Sequence, residues 1–261
     1  MVYELFALTD TGRARENNED SVAIKEAAGL AVLADGMGGY NAGEVASGMT
    51  TAFISSELGR WLVEAGEQAK PREVKRAIEI CVDNANRSVY NAANSNPSYS
   101  GMGTTLVIGV FHGRNAILGH IGDSRAYRYR EGCLTQVTRD HSLLQEQLDA
   151  GLITEEEAAT ASHRNLVTRA LGVDPAVAVE FTELDVQEGD LYLICSDGLS
   201  DMIDDRAMEG LLHNGGTLPT LAAQLVSAAN NNGGRDNISV ILIRAFASAK
   251  KQGLLSRLLR K

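Results

Sequence analysis

Three apolar runs of strand length lead directly into aspartate. Leu30–Ala34 enters Asp35-Gly36-Met37-Gly38-Gly39, Ala116–Ile121 enters Gly122-Asp123-Ser124, and Leu191–Cys195 enters Ser196-Asp197-Gly198. A fourth run, Ile238–Ile243, is preceded by Gly233-Gly234-Arg235-Asp236-Asn237. A carboxylate at the mouth of a core strand is costly to desolvate alone. Several gathered there repel one another unless multivalent cations neutralise them. The donors on offer are all oxygen, a set that suits Mg²⁺ or Mn²⁺ rather than zinc or copper. Asp-Gly is also an ordinary turn dipeptide, so the inference rests on four such sites recurring together. Gly36 adds to it, because backbone without a side chain can approach a ligand and leave its carbonyl free as a neutral donor.

These runs, with Thr105–Phe111, are rich in β-branched residues and bounded by Gly, Asp or Asn, as buried strands are. Arg125–Arg130 instead alternates, with Ala126 and the tyrosines set against arginines, as expected of a strand with one wet face. Helical spacing is clearest over Arg72–Tyr90, behind Pro71, and over Leu218–Ala229, where Thr217 is placed to cap. Glu44–Val63 is a third, less regular helix. Strands in series, then long helices, then more strands predict an α+β chain with helices packed on antiparallel sheets. No repeat or low-complexity linker divides the chain, so residues 1–249 read as one domain. Residues 139–180 are polar and helix-prone only in pieces, Ser142–Ala150 and Thr154–Thr160, and read as an excursion over the surface.

Charge narrows the partners. Five of the 24 basic residues fall in the last twelve positions, which leaves residues 1–249 with 19 bases against 34 acids. Such a body repels phosphodiester backbones, so nucleic acid is excluded as a partner. Cys81, Cys133 and Cys195 form no Cys-x-x-Cys pair and suggest neither a disulfide framework nor a thiolate zinc site. No basic stretch followed by an apolar core opens the chain, and no run of about 18 apolar residues occurs in it. The expectation is a cytoplasmic protein without a transmembrane segment.

Near the N-terminus, Arg13-Ala14-Arg15-Glu16-Asn17-Asn18-Glu19-Asp20 sets two arginines ahead of an acidic pair. The planar fork of Arg suits a tetrahedral oxyanion, although such a segment alone reads as a solvated turn. It does not stand alone. The ordered series Arg15–Asp20, Ala34–Gly39, Gly103–Thr105, Gly122–Arg125, Ser196–Leu199 and Asp236–Asn237 resembles the bacterial metal-dependent protein phosphatases of the PP2C (PPM) family, from residue 4 to about 245. The resemblance implies an α-β-β-α sandwich, two central antiparallel sheets flanked by helix pairs, with metals in a cleft at one end. It implies a protein serine/threonine phosphatase that hydrolyses phosphoserine and phosphothreonine by attack of a hydroxide bridging two divalent ions, counteracting a cognate Ser/Thr kinase. Carried over by position, Asp35 resembles the carboxylate bridging two metals, with the Gly36 carbonyl on one of them and Asp197 and Asp236 on the other. Asp123 is similar to the ligand of a third ion, shared with Asp197. Arg15 resembles the phosphate-binding arginine, and Glu19 and Asp20 the outer partners that orient metal-bound water. The cofactor implied is Mn²⁺ or Mg²⁺, two core ions and a third.

One position departs from some members of that family. Met37 follows Asp-Gly where others place His, so the acid that protonates the leaving alkoxide is unassigned; water on the Asp123 ion, His141 and His120 are its candidates. Residues 139–180, including Asn165–Gly172, coincide with the family's mobile flap. The tail, residues 250–261, lies beyond the resemblance. Its leucines at helical spacing and five cations form a short amphipathic segment able to touch an anionic membrane or an acidic partner weakly. Two other functions fit the same fold: a non-catalytic phosphoprotein-binding module, and a phosphatase of small phosphate esters.

Overall fold

The computed structural model describes residues 1–39, 42–154, 157–158 and 166–247. Two antiparallel sheets lie face to face between two layers of helices. The first sheet takes β1 (Val2–Asp10), β11 (Ile238–Phe246), β10 (Leu191–Cys195), β7 (Arg125–Arg130) and β8 (Cys133–Gln136), in that order. The second takes β2 (Asp20–Lys25), β3 (Leu30–Met37), β5 (Leu106–His112), β6 (Asn115–Ile121) and β9 (Glu180–Asp185), with the two-residue β4 (Gly103–Thr104) beside β3. Leu5, Leu33, Val107, Leu118, Ile194 and Ile241 fill the space between the sheets. This is the α+β sandwich the sequence implies.

Helices α1 (Ala42–Ala65) and α2 (Pro71–Ser95) cover the second sheet, where Ile54, Leu58, Ile78 and Val82 meet Leu30, Val32 and Ile108. On the outer face of the first sheet lie α5 (Asp205–His213) and α6 (Leu218–Asn231). Shorter helices among the described residues include α3 (Leu143–Asp149) and α4 (Asp197–Ser200). Helix α2 starts at Pro71 as expected, and the Lys70 N–H donates to Glu73 Oε2 at 2.8 Å. The N-terminal half of helix α1 buries small residues ahead of Ile54, Leu58 and Leu62: Thr50 and Thr51 turn their hydroxyls back onto the Ala46 and Ser47 carbonyls, which brings the helix close to β2 and β3.

Two expectations change. Strand β7 has no wet face over its buried half, because Tyr127 is covered by the helix layer while Ala126 packs between the sheets. Period-two geometry puts these neighbours on opposite faces, so they never share one. And β3 does not end at Ala34. It continues through Asp35 and Gly36, with Asp35 registered against Asp20 and Gly36 against Thr104. Asp35 is therefore held by sheet backbone rather than by a turn.

Of the excursion 139–180, the described parts are tied to the body. Ser142 caps α3 and pairs with Val167, and Thr104 pairs with Leu171. Most of Thr154–Thr160 and the whole basic tail lie outside the described residues. All three cysteines are free thiols. Among the described residues, no helix is long and apolar enough to cross a membrane.

Candidate active site

The motifs that carry aspartates are also the ones that brace them. Backbone at Asp35 is gripped by the Gly-Thr-Thr segment: the Thr104 hydroxyl and the Thr105 N–H both donate to the Asp35 carbonyl at 2.8 Å, and the Asp35 N–H donates to Thr105 Oγ1 at 3.0 Å. Thr105 Oγ1 in turn shares a 2.8 Å bond with Ser124 Oγ, which links Asp35 to the turn that carries Asp123. Ser196, one residue before Asp197, donates to Asp20 Oδ2 at 2.8 Å and receives the Ser239 N–H at 3.0 Å. Asn237 accepts the Glu19 N–H and donates to the Thr11 and Asn17 carbonyls, so the residue after Asp236 fastens the loop that carries Arg15. Arg125 holds Asp140 by a two-pronged ion pair, 2.7 Å at its shortest, at the start of the excursion.

Glycines set the spacing. A Cβ at Gly36 stands 2.1 Å from the Gly43 carbonyl oxygen and 2.6 Å from that of Glu19. The first turn of α1 thus packs on bare backbone, and the Gly36 N–H donates to the Glu19 carbonyl at 3.1 Å. Gly36→Ala is expected to lower stability by at least about 1–3 kcal/mol, because the atoms it strikes are backbone and have nowhere to yield. Urea unfolding measures it; an unchanged midpoint contradicts this packing.

These braces bring Arg15, Glu19, Asp35, Gly36, Asp123, Asp197, Asp236 and Val167 to the wall of one cavity of about 310 Å³. All four core aspartates expected from the sequence meet there. Asp20 does not line it; it lies behind Asp35, buried, with Oδ1 lacking any hydrogen-bond partner. Arg15 is drawn onto Asp236, Nη2 to Oδ2 at 2.7 Å, at the exposed rim. Arg15 and Asp236, to which the motifs give separate tasks, thus meet as one ion pair. The bracing residues Thr104, Thr105, Ser124, Ser196 and Asn237 lie inside the same motifs, and their roles emerge only from the hydrogen bonds.

The electrostatics of the cavity are those of crowded acids. Burial raises the Asp35 carboxyl well above its ordinary value, and Asp20, Asp197 and Asp123 raise it further by repulsion. Asp197 is pushed up to about 8 by burial and then by Asp123, Asp201 and Asp236. Asp123 is pushed up to about 6 by burial and by Asp140. Burial also raises Glu19, against the opposing pull of Arg15 and the Gly43 N–H. Without compensation the ionised forms of these groups are disfavoured. Divalent cations fit: the donors are hard oxygens of crowded carboxylates, and among the described residues no imidazole or thiolate lines the cavity.

The chain is similar to known proteins along nearly its whole length. The Listeria monocytogenes serine/threonine phosphatase stp is 36% identical over 245 residues, 93% of this chain and 96% of its own. The crystal structure of the Mycobacterium tuberculosis serine/threonine phosphatase PstP/Ppp superposes with a TM-score of 0.84 at 36% identity, over 95% of this chain and 100% of the solved one. A catalytic domain of the serine/threonine protein phosphatase PstP, solved in complex with two manganese ions, gives 0.82 at 35% identity, over 94% and 99%. The model of the family described as protein phosphatase 2C covers residues 11–242. With that span and identities above 30% along nearly its whole length, the chain belongs to the protein phosphatase 2C family.

Proposed function

We propose that the chain is a protein serine/threonine phosphatase, hydrolysing phosphoserine and phosphothreonine in proteins with Mn²⁺ or Mg²⁺ as cofactor. The observation that carries this is the convergence of Asp35, Asp123, Asp197 and Asp236 from four distant segments on one cavity with Arg15 at its rim. Asp35 and the Gly36 carbonyl would hold one core ion, with Asp35 reaching a second that Asp197 and Asp236 complete; Asp123 and Asp197 would hold a third. Bound divalent ions supply cationic charge against a phosphate dianion and acidify water at neutral pH. The chain's own residues do the positioning. Arg15, exposed and already paired with a carboxylate, exchanges that partner for two phosphate oxygens and orients the phosphorus. Glu19 at the wall would accept hydrogen bonds from solvent held in the cavity, and Asp20, buried opposite Asp35, would act on that solvent only through it.

On this reading residues 1–249 form one catalytic domain whose excursion 139–180 borders the site through Val167 and selects protein substrates. The enzyme opposes a Ser/Thr kinase in the cytoplasm, and the basic tail adds weak contact with an anionic membrane or an acidic partner. Phosphate release from a phosphothreonine peptide with Mn²⁺, abolished by EDTA, tests it. Metal-independent release overturns the ion assignment, binding without turnover favours a non-catalytic module, and preference for small esters favours a metabolite phosphatase. Arg15→Ala is expected to raise the peptide KM about tenfold, or about 1.4 kcal/mol, with a smaller effect on kcat. Unchanged KM and kcat would refute the role given to Arg15.

A further inference from the structure

Gly122 and Asp123 turn away from the end of β6 with Gly122 at φ +101°, where a side chain would also strike Thr105. Besides the Thr105–Ser124 bond, this turn is held at Gly122 by His141. The Gly122 N–H donates to His141 Nδ1 at 3.0 Å, and the His141 N–H donates to the Gly122 carbonyl at 2.9 Å. His141 is also where the excursion attaches: its carbonyl accepts the Thr168 N–H at 2.8 Å, and the next residue, Ser142, pairs with Val167 at the cavity wall. The ring is buried and stacked on His120, centroids 4.6 Å apart and planes 11° from parallel. Its Nε2 lies 3.2 Å from Glu180 Oε2, with the Arg169 Nη1 3.0 Å away on the same side.

Three ligand-capable atoms of His120, His141 and Glu180 lie within 4.8 Å of one another. Geometry argues against an ion among them. Lone pairs lie in the ring planes, and nearly parallel stacked rings do not aim theirs at one point. With Nδ1 taking the Gly122 N–H, the ring proton is on Nε2, where Glu180 accepts it against the competing Arg169 Nη1 donor. That tautomer is the one needed to hold Gly122.

Resting on the phosphatase reading above, we propose that His141 is a positioning residue: its Nδ1 fixes the Gly122–Asp123 turn and its backbone carries the flap, so that Asp123 and Val167 are set by one joint. Burial keeps the imidazole below its ordinary pKa, which favours the neutral acceptor form. The residue touches no reacting group. Its effect runs through Asp123 and the ion that Asp123 would hold, as outer hydrogen-bond partners set the aim of carboxylate ligands.

Two substitutions separate the bonds. His141→Asn keeps an acceptor at the δ position for Gly122 and loses Glu180; His141→Gln reaches Glu180 and loses Gly122. In the full chain without metal, His141→Gln is expected to speed amide exchange at Gly122 about a hundredfold, read by NMR. The Mn²⁺ concentration for half-maximal rate should rise about tenfold and kcat should fall, with little change in peptide KM. Calorimetric Mn²⁺ titration should show the same weakening. His141→Asn should stay within about threefold of wild type in each reading. Equal behaviour of the two variants overturns the proposal, as does faster Gly122 exchange with unaltered Mn²⁺ requirement. Should the Gln variant not fold, Glu180→Ala frees the ring from an exposed partner and is expected to shift both readings about threefold; no shift overturns it equally. A wild type that binds Mn²⁺ but releases no phosphate would count against the phosphatase reading, while Gly122 exchange and calorimetry would still judge the joint.

Discussion

Asp35→Asn is expected to reduce Mn²⁺-dependent phosphate release by about 10³-fold or more while making the metal-free protein more stable. The two effects come from one charge. Asp35 sits among Asp20, Asp123 and Asp197, which together with burial drive its pKa upward, so its ionised form is disfavoured without a cation. Asn keeps the shape, and the backbone bonds from Thr104 and Thr105 do not depend on the side chain. What disappears is a charge that its neighbours repel and that two cations would share. A thousandfold loss corresponds to about 4 kcal/mol of barrier. Relief of repulsion worth about 1 kcal/mol raises the melting temperature of a domain this size by about 2–4 °C. Phosphate release and thermal melting in chelator, run on one preparation, check both. A variant that is inactive but less stable than wild type in chelator points to damaged folding instead, and an active variant removes Asp35 from the mechanism.

The second large effect is a pH dependence that reverses when metal is added. Asp20, Asp123 and Asp197 have folded pKa values of about 7, 6 and 8 against an ordinary 3.8. The folded state therefore binds more protons than the unfolded chain between these limits. The stability contributed by these groups is full below about pH 4 and is lost as pH rises through about 6 to 8. In EDTA the melting temperature is expected to fall from pH 5 to pH 8. Mn²⁺ competes for the same oxygens with protons, so its stabilisation grows over the same interval. At a hundredfold excess over Kd it contributes about 2.7 kcal/mol, an upward shift of about 5–10 °C at pH 8. The paired Asp190, held below its ordinary value on balance by Arg130, acts in the opposite sense only at lower pH. A melting temperature that climbs with pH in EDTA, or an Mn²⁺ shift equal at pH 5 and pH 8, would contradict the carboxylate cluster.

Much of this was legible in the sequence because the core strands are apolar runs and the site residues adjoin them. Asp35, Asp123, Asp197 and Asp236 stand out as acids where only apolar residues or turns belong. Strands β1, β2, β8 and β9 and the two-residue β4 gave no such signal. β1 and β9 are partly buried along most of their length and mix Glu4, Thr9, Glu183 and Asp185 with apolar residues, and β2 alternates too little to separate it from a loop. The periodicity of α1 is weak because its buried face is Ala46, Ser47, Thr50 and Thr51. Pairing is what the sequence conceals. That Asp35 lies inside a strand opposite Asp20, and that Asn237 clasps the Arg15 loop, depends on partners more than ten and more than two hundred residues away. The chemistry of each residue is local, but its neighbours are decided by topology.

Strand β11 lies between β1 and β10, in the interior of its sheet, and Asp236 and Asn237 immediately precede it. During translation everything ahead of β11 therefore emerges with a missing slat. Strand β1 has no partner in its own sheet, and the loop of Arg15 has no anchor. A growing polypeptide of this kind gains neither a closed sheet nor a functioning cleft until β11 has left the ribosome, so hydrolytic competence waits on that one strand.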